Sequence, residues 1–239
     1  VTHELAEGPY FDELRVGQVF DQAPSCTLTG GRAAVHQSIV GDRLRLPLDD
    51  RLAHAVTGRS PLAHPALVWD VAIGQSTVAT HHVRANLFYR NLIFRRLPAI
   101  GDTVRTTTTV EGLKQNSRRD DRTPTGLAAL RMVTIDQDER PVLDFYRCAM
   151  LPLRHDVDTG YADDLDLVGS RQGDELDAEA SVREWDLEVW RDQVSHRPEL
   201  VEGLTLQVVG GDVVSSAPEL ARLSLNVAQV HHDAEAAGG

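Results

Sequence analysis

A helix pattern runs from Pro65 to about Thr77, where Leu67, Val68, Val71 and Ala72 fall at i, i+1, i+4 and i+5. That is the stripe of a buried helix. Before it, Phe11 to Phe20 reads as a loop entering a strand that continues to about Thr29. Gly31 to Val40 is helix-compatible and stops at Gly41-Asp42. After Thr77 the chain turns to long β-rich runs. Val83 to Leu97 is broken by Pro98, and Asp102 to Lys114 alternates through Thr103, Val104, Thr106 and Thr108. Leu127 to Ile135 and Val142 to Leu151 are joined by the turn-like stretch from Asp136 to Pro141. One strand, a long apolar helix and a meander of strands predict an α+β layer, an antiparallel sheet wrapped round a central helix. Strand order stays open, because one sequence does not determine it.

The pattern breaks at Arg154. From there to about Val182 the acidic residues Asp156, Asp158, Asp163, Asp164, Asp166, Asp174, Glu175, Asp177 and Glu179 face only Arg154 and Arg171. With few large apolar residues among them, this stretch is expected to be a solvated linker. Residues 1–153 then form a first unit, 154–182 the linker and 183–239 the start of a second unit. In the last of these, Trp185, Leu187 and Trp190 restart an apolar pattern. Leu204 to Val209 alternates like a strand, Gly210-Gly211-Asp212 supplies a turn or bulge, and Val213-Val214 resumes it. Ser216-Ala217-Pro218-Glu219 has the form of a capping box, with the proline tolerated in a first helical turn. Leu220, Leu223, Val227 and Val230 follow at i, i+3, i+7 and i+10. This strand-then-helix order repeats that of Val19 to Val40.

Composition narrows the classes. In 239 residues, 24 Lys+Arg stand against 36 Asp+Glu, a net charge of -12. Such a surface repels phosphate backbones and disfavours nucleic-acid binding. No apolar run reaches the length of a membrane span, and Val1-Thr2-His3-Glu4 lacks a basic-then-apolar leader pattern. Cys26 and Cys148 are far apart, in apolar strand-like contexts and without partners at metal spacing. They are expected to be buried reduced thiols, which points to the cytoplasm. His81-His82 are adjacent in an expected strand, so their side chains diverge, and His54 and His64 lack a further ligand at metal spacing. No metal site follows.

The most chemically loaded stretch closes the chain: Leu225-Asn226-Val227-Ala228-Gln229-Val230-His231-His232-Asp233. It resembles the signature Gly-Asp-x-Asn-Pro-Leu-His-x-Asp of the MaoC-like (R)-specific enoyl-CoA hydratases. Phe11 to Phe20 and the turn Pro98-Ala99-Ile100-Gly101-Asp102 are similar to segments of hot-dog acyl-CoA hydratases. Gly112 to Ser117 and Arg140 to Asp144 resemble the mesaconyl-CoA (2-methylfumaryl-CoA) hydratase branch. The resemblance implies two hot-dog repeats sharing one tunnel, the second only begun here, and association through paired sheets. It implies a hydro-lyase acting on a 2-enoyl-CoA thioester without metal or organic cofactor. His231 falls on the family's catalytic His and Asp233 on its trailing Asp, while Asn226 replaces the catalytic Asp. Asparagine holds a water but accepts no proton. If the helix entered at Pro218 continues, His231 is on its inward face and His232 points about 100° away. In the first repeat Asp42 matches the family Asp, but Pro47 stands where the His is required, so this half reads as degenerate. His64, at the mouth of the central helix, and Asp42 are then candidate substrate contacts. Arg84, Arg90, Arg95 and Arg96 are candidates for the CoA phosphates, although a charged sheet face explains them as well. Two other functions remain open: a hot-dog acyl-CoA thioesterase, and a non-catalytic acyl-CoA-binding or assembly subunit.

Overall fold

The computed structural model describes residues 7–119, 122–170, 182–193, 203–205, 207, 209–211, 213 and 215–237. Its centre is α4 (Pro65–Ser76), whose Leu67, Val68, Val71 and Ala72 are fully buried. The sheet around it is antiparallel. β1 (Val19–Phe20) and β2 (Cys26–Thr27) pair with one long strand, β4 (Thr103–Gln115). β5 (Thr125–Ile135), β6 (Pro141–Pro152) and β3 (Ala85–Phe94) complete the order β1-β4-β5-β6-β3. Leu130, Met132, Phe145, Ala149 and Leu151 from β5 and β6 join Phe11, Leu14 and the apolar face of α4 in one core. The expected α+β hot-dog architecture is present. The single strand expected from Val19 to Thr29 is split into β1 and β2, two short pieces on the same partner.

α1 (Gly30–Val40) starts at Thr29, whose hydroxyl caps the Arg32 N–H, and ends where Gly41 adopts φ 64°. Glycine takes this left-handed conformation without a Cβ penalty. Two further helices, α2 (Arg45–Leu48) and α3 (Asp50–Thr57), lie between α1 and α4 and were not expected. α2 is a single turn, and α3 buries Ala53 and Val56 on one face while Asp49 caps it through the N–H groups of Arg51 and Leu52.

The acidic stretch after β6 departs from expectation. Through Ser170 most of its residues are solvent-exposed, and it also lies as a strap along the sheet. Lys114 pairs with Ala162 in a bridge, Asp163 accepts from the Leu113 N–H at 2.8 Å, and the Tyr161 hydroxyl donates to the Leu14 carbonyl at 2.9 Å. Leu165 is buried against Ala129 and Cys148, with Phe88, Leu127 and Val168 around them. Arg90 donates to the Leu165, Asp166 and Val168 carbonyls. The few apolar residues sufficed because Gly112 leaves room: a Cβ there would stand 3.0 Å from Leu165. Asp174, Glu175, Asp177 and Glu179 lie outside the described residues.

The C-terminal segment packs on the helices that precede α4. α5 (Leu187–Gln193) lies against α3, the Asp186 N–H donating to the Val56 carbonyl at 2.7 Å. α6 (Ala217–Leu223) lies against α1, with Arg32 donating to the Leu223 carbonyl. Leu204, Thr205, Gln207, Val209 and Val213 carry no strand, and Leu206, Val208, Asp212 and Val214 lie outside the described residues. α6 begins after Ser216 as expected, but the Ser216 side chain makes no capping hydrogen bond.

Candidate active site

Two clusters sit at opposite ends of α4. At its N-terminus, His64 is the cap: Nδ1 accepts from the Ala66 N–H at 3.0 Å, with Pro65 as the first helical residue. Pro has no N–H to leave unsatisfied there. Gly41 turns the chain out of α1 and places Asp42 against this cap, with Asp42 Oδ1 2.6 Å from His64 Nε2. The side chains of His64 and Asp42 are 14% and 5% exposed. Asp42 Oδ1 also accepts from the Leu44 N–H at 2.7 Å, and the Gln37 amide holds the Asp42 carbonyl at 2.7 Å. Alongside, buried His36 of α1 meets Asp70 of α4 at 2.9 Å, with its ring 5.9 Å from that of His64. Burial lowers the His64 pKa below its ordinary value, against the opposing pull of Asp42. The imidazole is neutral, with its proton on Nε2 because Nδ1 accepts from the backbone.

At the other end, the segment carrying Asn226, His231 and Asp233 is fastened to α4 and the turn that follows it. The Val227 N–H donates to Thr77 Oγ1 at 2.9 Å and the Gln229 N–H to the His81 carbonyl at 2.9 Å. Ser224 lies so close to Gly74 that any Cβ on Gly74 would be driven into its carbonyl. Ala228 is fully buried in the main core. His82 joins this contact through Gln229 at 3.0 Å and the Gly8 carbonyl at 3.2 Å, under the stacked Tyr10 ring. His81 and His82 therefore occupy the turn before β3, not a strand, and serve as a docking point.

The helix expected to carry His231 inward does not reach it. α6 ends at Leu223, and Leu225 takes φ 64°. The Asn226 N–H closes back on the Ala221 carbonyl at 2.8 Å, which terminates the helix. His231 closes a short 3-10 turn, Gln229–His231, and is solvent-exposed. The Asp233 carboxylate caps α7 (Ala234–Ala237), accepting from the Glu235 N–H at 2.8 Å, rather than orienting an imidazole. Asn226 Oδ1 accepts from the Ala228 N–H at 2.9 Å, and its carbonyl meets His232 Nε2 at 2.6 Å. A hollow of about 490 Å³ opens among His81, Leu225, Asn226, Gln229, His232 and Asp233. Among the described residues, no three His, Cys, Asp or Glu side chains are grouped to hold a metal.

Of the arginines considered for phosphate, Arg90 is engaged by the strap, Arg84 donates to the Ala236 carbonyl at 3.3 Å, and Arg96 pairs with Asp136. The His36–Asp70 pair was missed. His36 and Asp70 lie 34 positions apart on different helices, and only packing makes them neighbours.

Comparison with known proteins fits this fold. No protein-family model matches the sequence. A beta-methylmalyl-CoA dehydratase of Chloroflexus aurantiacus is 30% identical over 149 residues, 62% of this chain and 41% of that protein. A mesaconyl-CoA hydratase of Cereibacter sphaeroides is 25% identical over 233 residues, 95% of this chain and 66% of that protein. The chain thus spans less than two thirds of these relatives. The solved structure of a conserved Mycobacterium tuberculosis protein, described as a double hot-dog, is 55% identical with a TM-score of 0.87. That match covers 97% of this chain and 71% of the other. The chain belongs to the double hot-dog family with that protein. A putative MaoC domain protein dehydratase of Chloroflexus aurantiacus, 24% identical with a TM-score of 0.70, shares this double hot-dog fold over 97% of this chain and 66% of its own. In this fold α4 is the central helix round which the sheet packs.

Proposed function

We propose that this chain is the first repeat and the opening of the second in a hydro-lyase that adds or removes water across a short 2-enoyl-CoA thioester of the mesaconyl-CoA type. The observation that carries the reading is the seating of the signature segment on α4 through Thr77, His81 and the cleared space at Gly74. The named chemistry of the two curated relatives supports the substrate class. In this reading His231 activates the water, Asn226 holds it, and Asp233 orients the ring once further chain covers the segment. His64 and Asp42 line the mouth that receives the thioester. The protein acts in the cytoplasm, where the buried thiols Cys26 and Cys148 stay reduced. Among the described residues no helix is long and apolar enough to cross a membrane.

A second reading, a non-catalytic acyl-CoA-binding subunit, is favoured by the Asp233 cap and the exposed His231. The test is loss of the conjugated enoyl-thioester absorbance on adding purified protein, with free thiol followed in parallel and chelator included. Hydration without thiol release supports the hydro-lyase. Thiol release points to a thioesterase, and calorimetric binding without turnover to the subunit.

A further inference from the structure

We propose that the hollow between the end of α3 and the start of α5 binds a nucleoside phosphate, with guanidinium groups on the phosphate and Trp185 under the base. None of the residues lining it belongs to the clusters at the two ends of α4. The inference does not depend on the hydro-lyase reading.

The hollow holds about 270 Å³. That is close to the lower end of the range for small-molecule sites, about 300–1,000 Å³. Arg59, just after α3, and Arg96, just after β3, form one wall over the buried Leu62. Arg183, Glu184 and Trp185 form the other. The second wall is tied to the helices before α4. The Asp186 N–H donates to the Val56 carbonyl at 2.7 Å, and Arg45 donates to the Gln193 carbonyl at 3.0 Å.

The whole chain carries a charge of -12, yet three guanidinium groups and one carboxylate line this hollow. Asp102 and Asp136 hold two of the arginines from behind and do not line it. Arg59 donates to the Leu97 carbonyl at 3.1 Å and to Asp102 at 3.4 Å. Arg96 pairs with Asp136 and lies 3.6 Å from Asp102. Asp136 is fully buried and also accepts from the N–H groups of Asp138 and Arg140. Asp102 accepts from the Ala99 N–H at 2.8 Å and from Gln137 at 3.0 Å. A guanidinium has five N–H donors, so Arg59 and Arg96 keep donors beyond these bonds while the carboxylates fix their planes. Burial lowers the Arg96 pKa, and the neighbouring charges of Arg59 and Arg140 lower it further, against a smaller pull from Asp102 and Asp138. An anion in the hollow relieves that strain on the charged form.

Trp185 supplies the second half of the recognition. It is half-buried, and among the described residues its indole N–H has no hydrogen-bond partner and its ring meets no other aromatic ring. An open indole face is a platform for a flat base, and guanidinium forks match phosphate oxygens. Inorganic phosphate uses only the arginines and a bare nucleoside only the indole. A nucleoside phosphate uses both. A free nucleotide and the nucleotide end of CoA carry the same chemistry.

The test is calorimetry of the 239-residue chain with AMP, ADP, CoA, adenosine and inorganic phosphate. Melting curves check the fold of each variant. The nucleotides should bind, with adenosine and inorganic phosphate at least about tenfold weaker. Arg59, 40% exposed, can be changed without stranding a buried carboxylate, whereas Arg96 holds the buried Asp136. Arg59→Gln and Arg59→Lys should each weaken nucleotide binding by about tenfold, because lysine keeps the charge but not the fork. Trp185→Leu should weaken the nucleotides and leave inorganic phosphate unchanged. Binding shared by AMP and ADP assigns a free nucleotide. Binding confined to CoA assigns the thioester's nucleotide end, and Trp185→Leu should then raise KM for an enoyl-CoA with kcat unchanged. Absence of nucleotide binding at millimolar concentration, or binding indifferent to both Arg59→Gln and Trp185→Leu, overturns the inference. A chain that binds nucleotides but is inert toward enoyl thioesters upholds this site and sinks only the hydro-lyase reading.

Discussion

Gly74 shows how one residue fixes where the signature segment lies. It faces Ser224 so closely that the backbone of the later segment occupies the place of a side chain. Gly74→Ala should therefore push that segment away, costing about 1–3 kcal/mol by overpacking. The checks are a lower melting temperature and faster proteolysis after residue 216, with the first repeat left intact. His64 supplies a pH dependence of definite sign. Its folded pKa lies below the ordinary 6.5, mainly because of burial. The unfolded chain therefore takes up a proton that the folded one resists, so its contribution is whole above pH 6.5 and is lost as pH falls through the folded pKa. His81 is lowered for the same reason, with His82 adding to it. Melting temperature should drop between about pH 7 and about pH 5.5, less steeply in His64→Gln. A flat or rising profile contradicts this. At this scale the sequence singled out Asp42, Asn226 and His231 through motif position and His64 through its place before Pro65. It could not announce that Asp42 meets His64, or that Asp233 is spent on a cap, because both depend on where turns place the chain.

The elements that were legible are those whose periodicity and packing agree: α4, β4, β5 and β6 lie within two residues of expectation. α6 failed at its far end, since periodicity carried the pattern to Val230 while Leu225 turned left-handed and Asn226 closed the helix. Hydrophobic spacing alone does not reveal such a stop. The Leu204–Val213 pattern has alternation but no ladder among the described residues, and a strand's N–H and C=O groups need a partner. The strap was illegible for the opposite reason. Its composition reads as solvated, yet Leu165 and the room left by Gly112 anchor it. Leu165→Ala should cost about 2–3 kcal/mol and loosen the strap. Cys148 reports on this directly. Burial raises its thiol pKa to about 11, and Leu165 is part of its cover. Its reaction with a disulfide reagent should be slow in the wild type and faster in Leu165→Ala. Equal rates would mean that the strap does not shield it.

Among the described residues the sheet has one long open edge. β3 pairs with β6 on one side only, and it exposes Leu87, Tyr89 and Leu92 at 52%, 43% and 41%. An edge of that length with apolar side chains is a template for another sheet. The purified 239-residue chain should self-associate at micromolar concentration, and Leu87→Lys with Leu92→Lys should shift it toward monomer in sedimentation. The same open edge bears on activity. A site for an acyl thioester needs walls that exclude water and hold the reacting carbon near its base. Here His231 is exposed, and the edge beside α4 is uncovered among the described residues. Turnover by the 239-residue chain should thus be small. Steady-state rates of the chain with and without His231→Ala decide it. Vigorous turnover by 239 residues that disappears in His231→Ala would show that self-association alone completes the C-terminal site.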